Sequence, residues 1–378
     1  MHSLLVRKPL YWHFMGAEKL RIALDDRAVK LSGIGIYTKN LYDFYTSLGH
    51  SVFLYDDKLV VSRSAFVFKY INFMKRLIKE NSDLGNWLQG NGIELYHVPK
   101  NTGVPLFSPV PVVVTIHDVI PHVFPQQYLK NILERIYYET AIRISIKRSR
   151  KIITISEFSK QALIQHYGVK PEKIAVTLLA YNRAFRKIEE AAVLKPVREK
   201  YNLNGRYLLA IGGSEYRKNM QRLIRVYQRH FSDEYKLVVI GGKWRDVDLS
   251  GRYASDINIR FLTNIPEEDL IAIYNMATVF VFPSFYEGFG IPVLEGMACG
   301  VPVVTSKVSS MPEVGGDAAV YFDPYDETDM AAKIESVLTD ERLRKEMIAK
   351  GLQKVKEYSW EKCAEETLQI YREVLGNE

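Results

Sequence analysis

The sequence predicts an α/β fold with two doubly wound domains, each a parallel sheet covered by helices on both faces. From Lys19 onward, short apolar runs of strand length alternate with segments of helical periodicity. The alternation occurs twice, in two series of similar length that meet near residues 181–196. Because strands that alternate with helices form right-handed βαβ units, each series should build its own parallel sheet. A chain of 378 residues is long enough for two such domains.

The first series predicts five strands and four helices. The strand candidates are apolar runs bounded by turn residues: Leu20–Leu24, Ser51–Tyr55, Ile93–Val98, Val110–Ile116 and Lys151–Ile155. The helix candidates are Ile36–Leu48, Ser64–Glu80, Gln127–Ile146 and Glu157–His166. They define a first domain over residues 19–185. Residues 1–18 are expected to be an extension before it, because Pro9 and two histidines interrupt any signal-peptide-like apolar run.

The second series predicts a second domain over residues 196–358. Its strand candidates are Arg206–Ile211, Lys236–Ile240, Asn258–Phe261, Thr278–Phe282, Val301–Thr305 and Ala318–Phe322. Its helix candidates are Met220–His230, Pro266–Met276, Pro292–Ala298 and Thr328–Leu338. Residues 360–378 contain a last amphipathic helix, for which Ser359 is the expected N-cap.

Composition limits the classes of function. No apolar run approaches the ~18 residues of a membrane-spanning helix. Two cysteines in a chain of this length favour a reducing compartment, and no Cys/His cluster has zinc spacing. Residues 1–183 hold 25 basic and 14 acidic side chains, whereas the remainder holds 26 and 30, so the first half should face an anionic partner. No nucleic-acid-binding motif is present, which leaves an anionic membrane surface or a phosphate-bearing lipid.

The most informative motif is the run Glu287-Gly-Phe-Gly-Ile-Pro-Val-Leu-Glu295, which follows an apolar strand and leads into a short helix. Two carboxylates therefore bracket a strand-to-helix turn that holds two glycines. Backbone N–H groups at a helix start lack internal partners, so this turn can hold an anion. Gly290 allows close approach of the backbone to a ligand, and Pro292 fits a first helical turn. The carboxylates can accept hydrogen bonds from hydroxyls, so the motif predicts a site for a sugar joined to a phosphate.

Further candidates follow strands in both halves. Arg217 and Lys218 come after the glycine pair that begins at Gly212, and adjacent cations there can neutralise a diphosphate. His117 and an aspartate end a buried strand in the first half, at a sheet edge where sites form. The run from Gly33 to Gly35 follows the first strand. It lacks a third glycine in dinucleotide spacing, which disfavours a nicotinamide site.

These motifs resemble, in order and over nearly the whole chain from Lys19, those of glycosyltransferase family 4. That family consists of retaining enzymes of the GT-B class, α/β proteins with two Rossmann-like doubly wound domains that face each other across a cleft. The matching elements are Gly33-Ile-Gly35-Ile-Tyr37, Thr115-Ile-His-Asp-Val-Ile-Pro121, Thr154-Ile-Ser-Glu157, Arg217-Lys-Asn219 and the Glu287–Glu295 run with its flanks. The final Ser359-Trp-Glu segment also resembles the family's last helix, which packs back on the first domain.

The resemblance implies a metal-independent hexosyltransferase that needs no cofactor and uses a nucleotide-diphospho-sugar, GDP-mannose first, as co-substrate. The implied catalytic residues are Glu287, His117, Arg217 and Lys218. Implied donor-binding residues are Glu295, Gly33, Gly35, Gly290, Phe289, Ile291 and Gly212. The implied acceptor is a glycan or lipid-linked glycan of surface-polysaccharide or lipopolysaccharide assembly. Two alternatives stay open: an epimerase or phosphorylase-like enzyme on the same architecture, and a non-catalytic nucleotide-sugar-binding protein.

Two further expectations concern metal and membrane. Asp246 and Asp248 form the one Asp-x-Asp pattern, but their context disfavours a metal site. The predicted helix Ser64–Glu80 has an aromatic face and a basic face, with Lys69, Arg76 and Lys79 on the latter. Such a helix can lie on an anionic bilayer or, equally well, cover the core. The expected location is cytoplasmic, with peripheral contact to the inner face of the cytoplasmic membrane.

Overall fold

Two parallel six-stranded sheets organise the molecule. A computed structural model describes residues 19–27, 33–56, 83–241 and 256–376. All sheet neighbours run parallel, and helices cover both faces, so the predicted α/β fold is confirmed. Within those ranges no helix combines the length and the apolar composition that crossing a bilayer requires.

The first sheet carries the strands of the first half. They are β1 (Arg21–Asp25), β2 (Ser51–Tyr55), β3 (Leu95–Val98), β4 (Val112–Thr115), β5 (Lys151–Thr154) and β6 (Ile174–Val176), in the order β2-β1-β3-β4-β5-β6. The two central strands β3 and β4 are buried along their whole length, as expected for a sheet covered on both faces. The sixth strand was not predicted, because three residues carry too little periodic signal.

The helices of the first half differ from the prediction in number and in bounds, and the helices over residues 83–90 and Ile120–Val123 were not predicted. They are Gly33–Ser47, residues 83–90, Ile120–Val123, Pro125–Tyr128, Ile132–Arg148 and Glu157–Tyr167. The helix predicted from Ile36 begins at Gly33. The helix predicted over Gln127–Ile146 is wrong as a single element, because Asn131 caps a new helix by accepting from the Glu134 N–H. The predicted helix Ser64–Glu80 lies outside the described residues, as do residues 1–18 and the Asp246–Asp248 pair.

The second sheet carries the strands of the second half. They are β7 (Tyr207–Ile211), β8 (Lys236–Ile240), β9 (Ile259–Leu262), β10 (Val279–Phe282), β11 (Val303–Ser306) and β12 (Ala319–Phe322), in the order β12-β11-β10-β7-β8-β9. Strands β7 and β10 are distant in the chain, yet they are parallel neighbours in the sheet. Their carboxyl ends therefore lie at the same sheet edge. The loops that follow these two strands therefore lie side by side.

The helices of the second half include three that were not predicted. The helices are Ala191–Lys200, Met220–His230, Glu267–Met276, Ile291–Ala298, Met311–Gly315, Glu327–Thr339 and Glu341–Lys354. Helix Ala191–Lys200 lies where a linker was expected, and Pro196 stands inside it. Proline usually ends a helix, but here the helix continues past Pro196. Helix Met311–Gly315 was also missed, and so was helix Glu341–Lys354. Asp340 caps it by accepting from the Leu343 N–H.

The last helix, Trp360–Leu375, packs against the first sheet. Ser359 caps it through the Lys362 N–H, as predicted. Tyr371 places its hydroxyl 2.5 Å from Nδ1 of His97 on β3, and the Tyr45 hydroxyl donates to the Ala364 carbonyl at 3.1 Å. The last helix of the described residues therefore packs on the first half of the chain.

Candidate active site

A buried ion cluster forms where the loops after β7 and β10 meet. Arg217 Nη1 lies 2.6 Å from Glu287 Oε2, and Lys218 Nζ lies 2.7 Å from Glu287 Oε1. Ser284 donates to the same Oε1 atom at 2.8 Å. Glu287 is only 9% exposed, so one carboxylate holds two cations away from bulk water. The sequence motifs that contain these three charged residues are separate in the chain, and the fold brings them together.

The charge state of the cluster follows from this geometry. Burial alone would raise the pKa of Glu287, but Lys218 and Arg217 outweigh burial and hold that pKa below its usual value. Burial lowers the pKa of Lys218, and Glu287 opposes that effect. The pKa of Arg217 is raised, because Glu287 and Glu215 outweigh its burial. Arg217 Nε also lies 2.8 Å from Glu215 Oε2, so the cluster contains two cations and two carboxylates.

The loop after β7 holds both cations in place. Tyr216–Lys218 form a short 3-10 turn, and Asn219 follows in the left-handed region at φ 56°. The Asn219 side-chain amide donates to the carbonyls of Pro283 and Pro324, at 3.1 and 3.0 Å. Gly212 lies beneath this turn, where a Cβ would come within 2.8 Å of Met220 and 3.2 Å of Lys218. A side chain at Gly212 would therefore crowd Met220 and the side chain of Lys218.

Helix Ile291–Ala298 begins beside the cluster. Gly290 precedes it at φ 116°, and a Cβ there would lie 2.4 Å from Met311, so only glycine fits. The N–H groups of Phe289, Gly290 and Ile291 find no acceptor within the described part of the chain. The Phe289 ring is 3% exposed and packs edge-on against Tyr358. The side chain of Phe289, a predicted donor-binding residue, is therefore buried, and only its backbone can face a ligand.

Glu295 lies one turn inside that helix, as predicted, and belongs to a different environment from Glu287. The Tyr274 hydroxyl donates to Glu295 Oε2 at 3.1 Å. Burial raises the pKa of Glu295 to about 7, and the hydrogen bond from Tyr274 only partly offsets this. The two carboxylates of the motif thus differ: Glu287 is ionised at neutral pH, whereas Glu295 is near its midpoint.

His117 follows β4 and is neutral at physiological pH, because burial lowers its pKa to about 4. Its Nε2 lies 3.0 Å from the Pro99 carbonyl, which can only accept, so Nε2 carries the proton. Nδ1 then keeps its lone pair, and it has no partner among the described residues. The Asn101 side chain accepts from the His117 N–H at 2.8 Å. His117 therefore offers one oriented acceptor for a hydroxyl group.

The turn at His117 touches the Glu287 loop directly. The Ser159 hydroxyl lies 3.1 Å from the His117 carbonyl and 3.2 Å from the Gly288 carbonyl, and Ser156 donates to that same Gly288 carbonyl at 2.7 Å. A Cβ at Gly288 would lie 2.6 Å from the His117 carbonyl oxygen. Glycine at 288 thus allows the two halves to meet at the site.

Gly33 and Gly35 occupy the first turn of helix Gly33–Ser47 rather than the loop that the sequence predicted. The same helix reaches the site through Tyr37, whose ring packs edge-on against His117 with centroids 5.3 Å apart. The Tyr37 hydroxyl shares a hydrogen bond with Thr115 at 3.1 Å. Tyr37 thus orients the imidazole of His117. The tyrosine at the end of the Gly-Ile-Gly-Ile-Tyr run was the sequence feature that could have indicated this contact.

Three polar residues at the site were not singled out from the sequence. Ser284 holds the Glu287 carboxylate, Ser159 joins the two halves, and Asn101 orients the His117 backbone. Ser284 lies three residues before Glu287, so the strand-end position was a usable signal. Ser159 and Asn101 act on partners distant in the chain, and no local pattern indicates such contacts.

Both halves of the chain are similar to known glycosyltransferases. Residues 31–179 match the model of Glycosyltransferase Family 4, and residues 195–354 match that of Glycosyl transferases group 1. The O-antigen chain mannosyltransferase B of Escherichia coli is 37% identical over 268 residues, which cover 69% of this chain and 70% of that protein.

Solved structures share the fold at low identity. A glycosyltransferase of Rickettsia africae superimposes with a TM-score of 0.75 at 18% identity, over 96% of this chain and all of that one. HepE of Anabaena, solved in complex with UDP-glucose, gives a TM-score of 0.73 at 15% identity, over 94% of this chain and all of that one. This chain therefore belongs to glycosyltransferase family 4 and is a glycosyltransferase of the GT-B fold.

Proposed function

We propose that this glycosyltransferase moves mannose from GDP-mannose to a glycan or lipid-linked glycan, with retention of the anomeric configuration and without a metal ion. The observation that carries the proposal is the pair of cations, Arg217 and Lys218, held on Glu287 beside a helix start with open N–H groups. The choice of mannose draws support from the Escherichia coli relative, whose name describes a mannosyltransferase.

The cations would neutralise the diphosphate as it leaves. Each close pair of opposite unit charges is worth roughly 4 kcal/mol gross at an effective dielectric constant near 20, before desolvation. Arg217 and Lys218 together could supply roughly the lower end of the 8–23 kcal/mol by which enzymes lower barriers. They take the role that a divalent metal has in other sugar-transferring enzymes, which is the reason to expect metal independence.

The reaction would proceed on one face of the sugar. The acceptor oxygen attacks the anomeric carbon as the bond from that carbon to the phosphate oxygen breaks, and the acceptor proton passes to the departing phosphate oxygen. We assign no covalent nucleophile. Glu287 would orient the cations and contact the sugar, and Nδ1 of His117 would accept from a sugar hydroxyl.

Glu295 would hold the donor's ribose. A carboxylate can accept from both hydroxyls of the diol, whereas a protonated carboxyl group can accept less and must also donate. Since the pKa of Glu295 is about 7, its ionised form grows as the pH rises through neutrality. Donor binding would favour that ionised form and so lower this pKa.

One assay tests the proposed function. The protein is incubated with a panel of nucleotide sugars, each with mannose-containing acceptors, in buffer with EDTA. We expect GDP-mannose to raise the melting temperature, since a ligand at a hundredfold excess over Kd stabilises by about 2.7 kcal/mol. We also expect an α-linked product by NMR, because GDP-mannose is an α-glycoside. A β-linked product, a metal requirement, or release of an altered sugar without acceptor would contradict the proposal.

We also propose contact with an anionic membrane through helix Ile132–Arg148. Its exposed apolar side chains lie in two adjacent rows at i,i+4 spacing: Ile132 at 65%, Ile136 at 52%, Leu133 at 46% and Tyr137 at 42% exposed. Residues 130–148 hold five basic and two acidic side chains. An exposed apolar surface bordered by cations matches a bilayer that carries negative headgroups.

Vesicle flotation tests this surface. The double variant Ile132→Ser/Ile136→Ser should partition more than tenfold less onto vesicles with anionic lipid, because each isoleucine loses about 1 kcal/mol of apolar burial. Val193→Ser is the matched control, since Val193 is 53% exposed on helix Ala191–Lys200 in the second half. Equal flotation of the double variant and the control would reject this helix as the contact surface.

A further inference from the structure

Three aromatic rings contact one another beside the ion cluster, and we refer to Tyr216, Phe285 and Tyr325 as the aromatic platform. The rings of Phe285 and Tyr325 have centroids 4.8 Å apart at 17°, and those of Tyr216 and Phe285 have centroids 5.3 Å apart at 33°. Phe285 is 7% exposed, whereas Tyr216 and Tyr325 are 53% and 61% exposed. Two large aromatic side chains therefore stay open to solvent although both contact a buried ring, Tyr325 by stacking and Tyr216 at a tilt.

The loops that carry the ion cluster also carry the platform. Tyr216 immediately precedes Arg217, and the Phe285 N–H donates to the Arg217 carbonyl at 2.7 Å. Phe285 lies two residues before Glu287. The Pro324 carbonyl, next to Tyr325, accepts from Asn219 at 3.0 Å. The platform is thus fixed relative to the cations, and a group bound on it would lie next to the proposed site of transfer.

The platform and Glu295 lie on opposite faces of the second sheet. Arg222, on helix Met220–His230, stacks over Phe285 at 5.3 Å, and this helix packs in the apolar cluster that contains Val239. Tyr274, the partner of Glu295, packs in the cluster that contains Val238. Adjacent residues of one strand point to opposite sheet faces. A donor whose ribose binds Glu295 therefore leaves the platform to another part of the reacting assembly.

The platform also faces the first half of the chain. The Phe124 ring lies 6.0 Å from that of Tyr216, and the Tyr128 hydroxyl lies 3.1 Å from Glu215 Oε2. The Glu215 side chain is 48% exposed. Glu215 Oε2 also lies 2.8 Å from Arg217 Nε, so a carboxylate paired with a cation and a tyrosine hydroxyl stand at the edge of the aromatic surface, on the side of the first half.

We propose that the aromatic platform binds a saccharide ring of the acceptor glycan. One face of a pyranose presents C–H groups with slight positive charge, which complement the negative face of an aromatic ring. The hydroxyls at the rim of the sugar would reach Glu215 and Tyr128. This assignment rests on the proposed function, because it places the acceptor beside the cations that activate the donor.

Binding of mannotriose to the protein with GDP present tests the platform. Tyr216→Ala and Tyr325→Ala should each weaken the NMR-measured Kd for the trisaccharide at least fivefold, and together at least tenfold. Tyr325→Trp should keep wild-type affinity, because it keeps a flat aromatic face. The Kd for GDP-mannose should change less than twofold in all variants. Phe107→Ala is the control, since Phe107 is an aromatic residue, 69% exposed, in the loop before β4.

Three results would overturn the assignment. The wild type could fail to bind the trisaccharide, the alanine variants could bind it as tightly as the wild type, or the alanine variants could lose affinity for GDP-mannose and not for the trisaccharide. The last result would indicate that the rings stack on the donor's base. A wild type that binds mannotriose but transfers nothing from any nucleotide sugar would contradict the proposed function while supporting the saccharide site.

Discussion

Glu287→Ala is expected to lower kcat/KM for sugar transfer by at least a hundredfold. The substitution removes the carboxylate that holds Arg217 and Lys218 at 2.6 and 2.7 Å. Lys218 would then lose its carboxylate partner and Arg217 would keep only Glu215, so the two cations would no longer be held together where a diphosphate meets them. A hundredfold loss corresponds to about 2.7 kcal/mol of transition-state stabilisation, within the range for loss of one preorganised electrostatic contact.

The same substitution should also destabilise the fold, so two readouts must be separated. Breaking a buried ion pair costs about 3–5 kcal/mol when a charge is left unpaired. Glu287→Gln keeps the shape and the Ser284 hydrogen bond, so its melting temperature should lie closer to wild type while its turnover stays low. Glu199→Gln is the matched control, because Glu199 is exposed on helix Ala191–Lys200. Near-normal turnover by folded Glu287→Gln protein would contradict the role assigned to its charge.

The fold class was predictable because it depends on local patterns. Continuous apolar runs such as Val112–Thr115 indicate buried parallel strands wherever they occur in a chain. The turn with Gly290 before helix Ile291–Ala298 was predictable for the same reason, since glycine and proline have positional meaning at helix starts. Short local patterns therefore suffice to predict the strands, the helices and the turns between them.

The assembly of the site was less predictable because it depends on strand order. Arg217 meets Glu287 because β7 and β10 are neighbours in the sheet, and nothing in either motif states that order. The proline inside helix Ala191–Lys200 shows the opposite failure, in which a strong local signal is overridden by packing. Resemblance to a family indicated the candidate site residues, whereas the aromatic platform and the contact at Gly288 are evident only in the folded structure.

Gly288→Ala is expected to reduce transfer at least tenfold while GDP-mannose still binds. The added Cβ would lie 2.6 Å from the His117 carbonyl oxygen, a distance that real Cβ atoms do not tolerate, and backbone cannot move aside as a flexible side chain can. The contact would have to open, which would lengthen the hydrogen bonds that Ser156 and Ser159 make to the Gly288 carbonyl. His117 would then move away from the sugar.

Donor affinity should change little in this variant, because the cations and Glu295 belong to the second half and keep their own contacts. Loss of kcat with GDP-mannose affinity retained is therefore the signature of a disturbed meeting between the halves. Gly90→Ala supplies the control, since no atom lies within 4 Å of the Cβ it would add. If Gly288→Ala turns over at the rate of Gly90→Ala, direct contact between the His117 turn and the Glu287 loop is dispensable, and each half performs its part without that contact.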